Sequence, residues 1–164
     1  MIRDAVEGDS EAIAHIYNHY IENTAISFEE KPVLGSDIQG RIENVQGAGL
    51  PWLVAVEECA VVGYAYATKW KERSAYRFSV EVSVYLSNQS HGRGLGAKLY
   101  ETLFSTLKEG GIHAVMGGIT LPNLASVALH EKMGMKKVAH FEKVGFKFDQ
   151  WHDVGYWQLS LDNE

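Results

Sequence analysis

The sequence holds a single cysteine, Cys59, in 164 residues. That excludes an internal disulfide and any cysteine cluster able to grip zinc. Proline is scarce, with three residues, and no Pro/Ser linker, internal repeat or low-complexity tract divides the chain, so residues 1–164 read as one domain. No apolar run approaches the roughly 18 residues a membrane span needs, and the opening residues Met1-Ile2-Arg3-Asp4-Ala5-Val6-Glu7 carry no signal-like hydrophobic stretch. These absences predict a cytoplasmic location without a membrane partner. Positive charge is also short: 15 Lys and Arg against 21 Asp and Glu leave −6 with His neutral. A nucleic-acid binder would show a basic excess, so none is expected as partner, and any anionic ligand must be held by local geometry. What remains is 46% hydrophobic and 22% charged residues with a mean hydropathy of −0.16, too apolar for disorder.

Periodicity orders the elements as α/β with a mixed sheet. A short strand over residues 1–6 precedes a helix capped by Asp9 or Ser10, with Ile13, Ile16, Tyr17 and Tyr20 on one face. A loop with Phe28 and a second helix over 36–45 follow, then two strands, 51–57 and 60–70, joined by a turn at Glu57-Glu58. Residues 79–86 alternate as a strand: Val80, Val82, Val84 and Leu86 share one face, and Ser79, Glu81, Ser83 and Tyr85 the other. Leu95, Leu99, Leu103, Phe104 and Leu107 trace an amphipathic helix ending at Gly110-Gly111. A strand over 112–120, a helix with Pro122 in its first turn and Leu124, Val127, Ala128 and Leu129 along it, and two strands over 136–148 and 152–161 complete the chain.

Between the 79–86 strand and the next helix lies Gln89-Ser90-His91-Gly92-Arg93-Gly94-Leu95-Gly96-Ala97. A helix start leaves amide N–H groups without intrahelical partners, and close-set glycines let a ligand reach them, which suits a pyrophosphate. A tight turn with spare glycines is the plainer alternative. The letters fit neither G-x-G-x-x-G, since no glycine follows Gly96 at the required place, nor G-x-x-x-x-G-K-[ST], since Gly92 leads to Ala97-Lys98-Leu99.

The loop resembles the pyrophosphate-binding motif of the GNAT acetyltransferases, [Q/R]-x-x-G-x-[G/A], with His91 where Gln or Arg is usual. Asn123-Leu124-Ala125-Ser126 resembles the family's second cofactor-binding segment, and His130-Glu131-Lys132-Met133-Gly134-Met135 an altered form of its [F/Y]-x-x-x-G-[F/Y] ending. Asn18-His19-Tyr20-Ile21-Glu22, the segment 70–76, Val84-Tyr85-Leu86-Ser87, Leu121-Pro122-Asn123 and the segment 151–159 are similar to the phosphinothricin N-acetyltransferase branch, whose members acetylate the α-amine of phosphinothricin, methionine sulfoximine or methionine sulfone. The resemblance implies the GNAT fold: a central mixed, mostly antiparallel twisted sheet with about four helices. It further implies acetyl-CoA as acetyl donor, a small amino-acid analogue as acceptor, direct attack in a ternary complex and a homodimer.

By that resemblance the cofactor falls to Val84, Tyr85, Leu86, His91, Gly92, Arg93, Gly94, Leu95, Gly96, Ala97, Asn123 and Ser126. Glu81, a carboxylate interrupting an apolar strand, is the candidate general base that frees the amine of its proton; a solvent-facing strand glutamate is the alternative. His130 stands where many members place a thiolate-protonating Tyr and is expected to act as acid or amine-orienting group, against the alternative of a surface histidine. Lys71 and Arg73 are expected to grip an anionic substrate group beside Tyr76 and Phe78, with Phe28, Tyr66 and Tyr85 lining the same pocket. Each of these could instead be packing or a solvated charge. No metal is expected: His15 and His19 have helical i, i+4 spacing but no following carboxylate, and Cys59 reads as structural. Other acceptors, such as an ordinary amino acid, a polyamine or a protein amino terminus, remain open, as does a noncatalytic acyl-CoA sensor.

Overall fold

The computed structural model describes residues 1–162. Seven strands, β1 (Ile2–Asp4), β2 (Trp52–Glu57), β3 (Ala60–Lys69), β4 (Ser79–Leu86), β5 (Ala114–Leu121), β6 (Lys136–Lys147) and β7 (Gln150–Ser160), form one sheet in the order β1-β2-β3-β4-β5-β7-β6. Every neighbouring pair is antiparallel except β4/β5. Four α-helices accompany it: α1 (Ser10–Asn23), α2 (Gly35–Gly47), α3 (Leu95–Glu109) and α4 (Leu124–Lys132). The mixed, mostly antiparallel sheet with four helices agrees with the expected fold.

Helices cover both faces because strand alternation sends apolar side chains to both. On one face α1 and α2 bury Ile13, Ile21, Ile38 and Ile42 against Trp52, Val54 and Tyr64. On the other, α3 buries Leu99, Tyr100, Leu103 and Leu107 against Val80, Val82 and Trp157, each such side chain contributing roughly 1.5–3 kcal/mol. Three local readings need correction. Asp9 precedes α1 but does not cap it through its side chain; its carboxylate accepts the Val6 N–H at 2.8 Å and pairs with Arg3 at 2.8 Å. The β2–β3 turn is centred on Glu58 and Cys59, both left-handed at φ 50° and 66°, one residue later than expected. Pro122 lies ahead of α4, in a cis peptide with Leu121, and Asn123 is the cap, its side chain accepting the Ser126 N–H at 3.1 Å. Leu124, expected along this helix, is its first residue and is 86% exposed.

The feature that shapes the site is the β4/β5 junction. The parallel ladder joins only Ser79–Glu81 to Ala114–Met116, although β4 continues to Leu86 and β5 to Leu121. Beyond Glu81 and Met116 the two strands part, so the sheet opens into a slot.

Candidate active site

The slot leads to a cavity of about 340 Å³ lined by the end of β4 (Val84, Leu86), the loop before α3 and the start of α4. Gly92 and Gly94 sit at φ 82° and 73°, a backbone region costly to any residue with a Cβ. They turn the chain so that α3 begins at Leu95. Its first intrahelical bond runs from Lys98 N–H to Gly94 C=O at 3.2 Å, and Gly94 offers no side-chain cap. The Leu95, Gly96 and Ala97 amides therefore precede the ladder, at the positive end of the helix dipole, which is where an anion is held. Gly96 also allows α4 to pack close: a Cβ there would stand 3.1 Å from Leu129.

Of the residues expected to hold the cofactor, Val84, Tyr85, Leu86, His91, Gly92, Gly94, Leu95, Gly96, Ala97, Asn123 and Ser126 all line this cavity. Arg93 does not. Its guanidinium turns outward to pair with Glu57 at 2.8 Å, so only its backbone belongs to the turn. His91 is anchored to the scaffold: its Nε2 lies 3.0 Å from the Tyr20 hydroxyl, which itself donates to the Leu86 carbonyl. Because that hydroxyl proton goes to Leu86, Nε2–H is the donor to Tyr20 oxygen. Tyr20, Ile26 and Lys132 also line the cavity. Sequence reading placed Tyr20 on one face of α1 with Ile13, Ile16 and Tyr17 but gave no hint that it reaches this loop.

A second cavity, about 760 Å³, opens on the α1/α2 face of the sheet and is lined by Glu81, Ser83 and Tyr85 from β4, Gly118 and Thr120 from β5, and residues of the loop after α1. Ile26 and Tyr85 border both cavities. A small space of about 50 Å³, with Ser83, Tyr85, Asn123 and His130 in its wall, lies between them. Glu81 is thus neither solvent-facing nor fully sealed. Burial raises its pKa above the ordinary carboxylate value, and the Lys71 ammonium partly offsets this. His130 is 4% exposed, which overturns the surface alternative. Its Nδ1–H donates to the Ser126 carbonyl at 2.7 Å, and Nε2 lies 3.1 Å from the Tyr100 hydroxyl. Burial lowers its pKa, the Ser126 carbonyl opposing the shift, so the ring is neutral near pH 7. Gly117 makes room for it, since a Cβ there would lie 2.8 Å from the imidazole.

The expected acceptor residues separate. Phe28 and Tyr85 line the larger cavity. Tyr66 does not: its ring stacks on Trp52 at 4.1 Å, as part of the packing beneath the site. Lys71 and Tyr76 line an adjoining cleft of about 440 Å³ that shares Phe141 and Tyr156 with the larger cavity. Arg73 is exposed just before the 3-10 turn Ser74–Tyr76 and borders none of these cavities, while Phe78 lies in a different cleft, under Arg77 at 4.5 Å. Of this loop, then, Lys71 and Tyr76 come beside the Glu81 cavity, while Arg73 and Phe78 do not. Sequence reading missed Glu29, whose carboxylate lines the larger cavity, accepts from Tyr17 and is held by Arg41 through two bonds of 2.8 Å. Its one signal was its place beside Phe28.

Comparison with known proteins agrees with this geometry. The acetyltransferase (GNAT) domain family matches residues 2–155. The phosphinothricin N-acetyltransferase of Streptomyces viridochromogenes is 40% identical over 161 residues, spanning 98% of this chain and 87% of that protein. The L-methionine sulfoximine/L-methionine sulfone acetyltransferase of Salmonella typhimurium is 37% identical over 98% of this chain and 94% of its own. The structure of a Salmonella typhimurium acetyltransferase with its cofactor acetyl-CoA superposes with a TM-score of 0.97 at 36% identity, covering 100% of this chain and 95% of that one. An anion cradle at a helix start, a slot in the sheet beside it and a carboxylate on the neighbouring face are thus found in a chain that matches enzymes of one chemistry over nearly its whole length, and the chain belongs to the GNAT acetyltransferase family.

Proposed function

We propose that this protein transfers an acetyl group from acetyl-CoA to the α-amine of a small amino-acid analogue of the phosphinothricin or methionine sulfone type. The observation that carries the reading is the continuity of the two cavities through Tyr85 and Ile26, which puts the anion cradle and Glu81 at opposite ends of one path. The residues present suit the donor. Left-handed glycines and the Leu95–Ala97 amides meet a diphosphate, and the β4 edge beyond the short ladder is open to a pantetheine arm. When bound, acetyl-CoA supplies an activated thioester. The chain's residues do the rest. Glu81, as carboxylate, takes a proton from the α-ammonium directly or through a water, which contributes ~10²- to 10⁴-fold. A backbone N–H of the Val84–Leu86 segment polarises the thioester carbonyl. His130, neutral and with its Nε2 on the Tyr100 hydroxyl, borders the small space between the cavities, where it would act as the acid or amine-orienting group, the amine's second proton ending on the departing sulfur.

Direct transfer within a ternary complex is the reading that this shared path supports, and Cys59 lines neither cavity. The reading sets the reaction in the cytoplasm, in a homodimer, by a domain spanning residues 1–164. Lys71, in the cleft that shares Tyr156 with the cavity, is the cation this scheme assigns to an anionic acceptor group, and the −6 net charge disfavours general attraction of anions. The test is thiol release from acetyl-CoA with L-phosphinothricin, L-methionine sulfoximine or L-methionine sulfone. Turnover with at least one is expected; silence with all three, while ordinary amino acids or amines are acetylated, would replace the acceptor assignment.

A further inference from the structure

We propose that the far end of the β6–β7 hairpin sets the shape of the acceptor cavity, with Lys147 as a positioning residue that holds the Ser27–Glu29 segment over Glu81. The inference rests on the acceptor reading above, and contacts on both sides of the segment support it. Lys147 is 2% exposed and its Nζ donates to the Ser27 carbonyl at 2.7 Å, 120 positions away in sequence. Burying an ammonium is costly unless it is bonded, so this contact fixes where the loop lies. Gly145 lies directly under Phe28: a Cβ there would meet the ring at 2.2 Å, so a larger residue requires the ring to shift. His152, whose Nε2–H donates to the Lys147 carbonyl at 3.1 Å, adds its ring against Phe28 with centroids 6.1 Å apart. From the opposite side, the Tyr17 and Ser27 hydroxyls bond at 2.8 Å and Arg41 grips Glu29.

The segment is thus fastened twice, to α1 and α2 behind it and to the hairpin in front. Ser27, Phe28 and Glu29 line the cavity, together with Phe141 and Val144 from β6. Lys147 does not itself line the cavity; it acts on the acceptor through the wall it fixes. Loosening the hairpin contact should widen the site for the acceptor and leave the glycine loop, at the far end of the path, unaltered.

The experiment compares Lys147→Met, Gly145→Ala, Phe28→Ala and the Phe28→Ala/Gly145→Ala pair with the wild type. It reads hydrogen exchange across residues 24–34 and KM for L-methionine sulfone and for acetyl-CoA. Lys147→Met keeps the stem and removes the donor. It is expected to lower protection of that segment and raise the acceptor KM roughly tenfold, with the acetyl-CoA KM nearly unchanged. Gly145→Ala acts in the same direction, and the pair is no worse than Phe28→Ala alone because the clash has gone. Unchanged exchange and unchanged acceptor KM in both folded single variants, or additive effects in the pair, would overturn the proposal. Should Lys147→Met not fold, the Phe28/Gly145 cycle decides between the two outcomes. Should the wild type acetylate no such acceptor, the acceptor reading fails separately, and the exchange measurement alone decides whether the hairpin fastens the loop.

Discussion

Glu81 and His130 are driven toward neutrality by the same cause, burial, from opposite directions: the carboxyl upward and the imidazole downward. For Glu81 the consequence is kinetic. A base must be ionised, so kcat/KM is expected to fall as pH drops through its raised pKa, an acid limb lying above the ordinary carboxylate value of about 4.3. Glu81→Gln should remove that limb and lower kcat by ~10²- to 10⁴-fold, while calorimetry registers undiminished uptake of CoA. For His130 the consequence is also one of stability. Its folded pKa lies below its unfolded one, so its contribution is present above the unfolded value and is lost as pH falls through the folded one. Glu81 stood out as a candidate because it is the one charged residue of the 79–86 strand. Tyr66 and Arg73 were misplaced because a sequence reports which face of a strand a residue takes and which residues follow it in a loop, while stacking on Trp52 and the course of the 70–78 loop are long-range facts.

At the scale of elements, periodicity identified β4 and α3 well because each has one face in the core and a clear end. Where backbone conformation rather than burial decides, the letters say less. Glu58 and Cys59 adopt left-handed geometry without glycine, and β6 shifts register between Phe141 and Gly145 with no composition signal. The glycine loop is the opposite case, since Gly94 at φ 73° marks a turn that side chains resist. Gly94→Ala is expected to cost about 1 kcal/mol of stability and to raise the acetyl-CoA KM well beyond any effect on the acceptor KM. The start of α1 depends on Asp9, whose pKa is held down first by its bond to Arg3, and then by the Val6 amide against the cost of burial. Its stabilisation is complete above the unfolded carboxylate pKa and is lost as pH falls through the lowered folded value. Asp9→Ala should cost about 1–3 kcal/mol in denaturant unfolding near neutrality and flatten the acid side of the stability profile.

For the whole molecule, β6 is an edge strand carrying exposed Val138, Phe141, Val144 and Phe146, with Phe148 and Trp151 at its turn. An exposed apolar edge calls for a cover, and a second copy of the chain is the one the proposed homodimer supplies. Light scattering should give twice the chain mass, and a Phe146→Glu/Trp151→Glu variant the single mass with secondary structure retained. The three-residue ladder between β4 and β5 has a further consequence. Among the described residues it is the only strand pairing between the amino-terminal meander, β1 to β4, and the carboxy-terminal trio, β5 to β7. A guest threaded into the gap would act as a missing rung, so coenzyme and fold become thermodynamically linked: saturation at a hundred times Kd adds about 2.7 kcal/mol, and melting should turn from a loosely knit opening at that seam into one sharp, cooperative event.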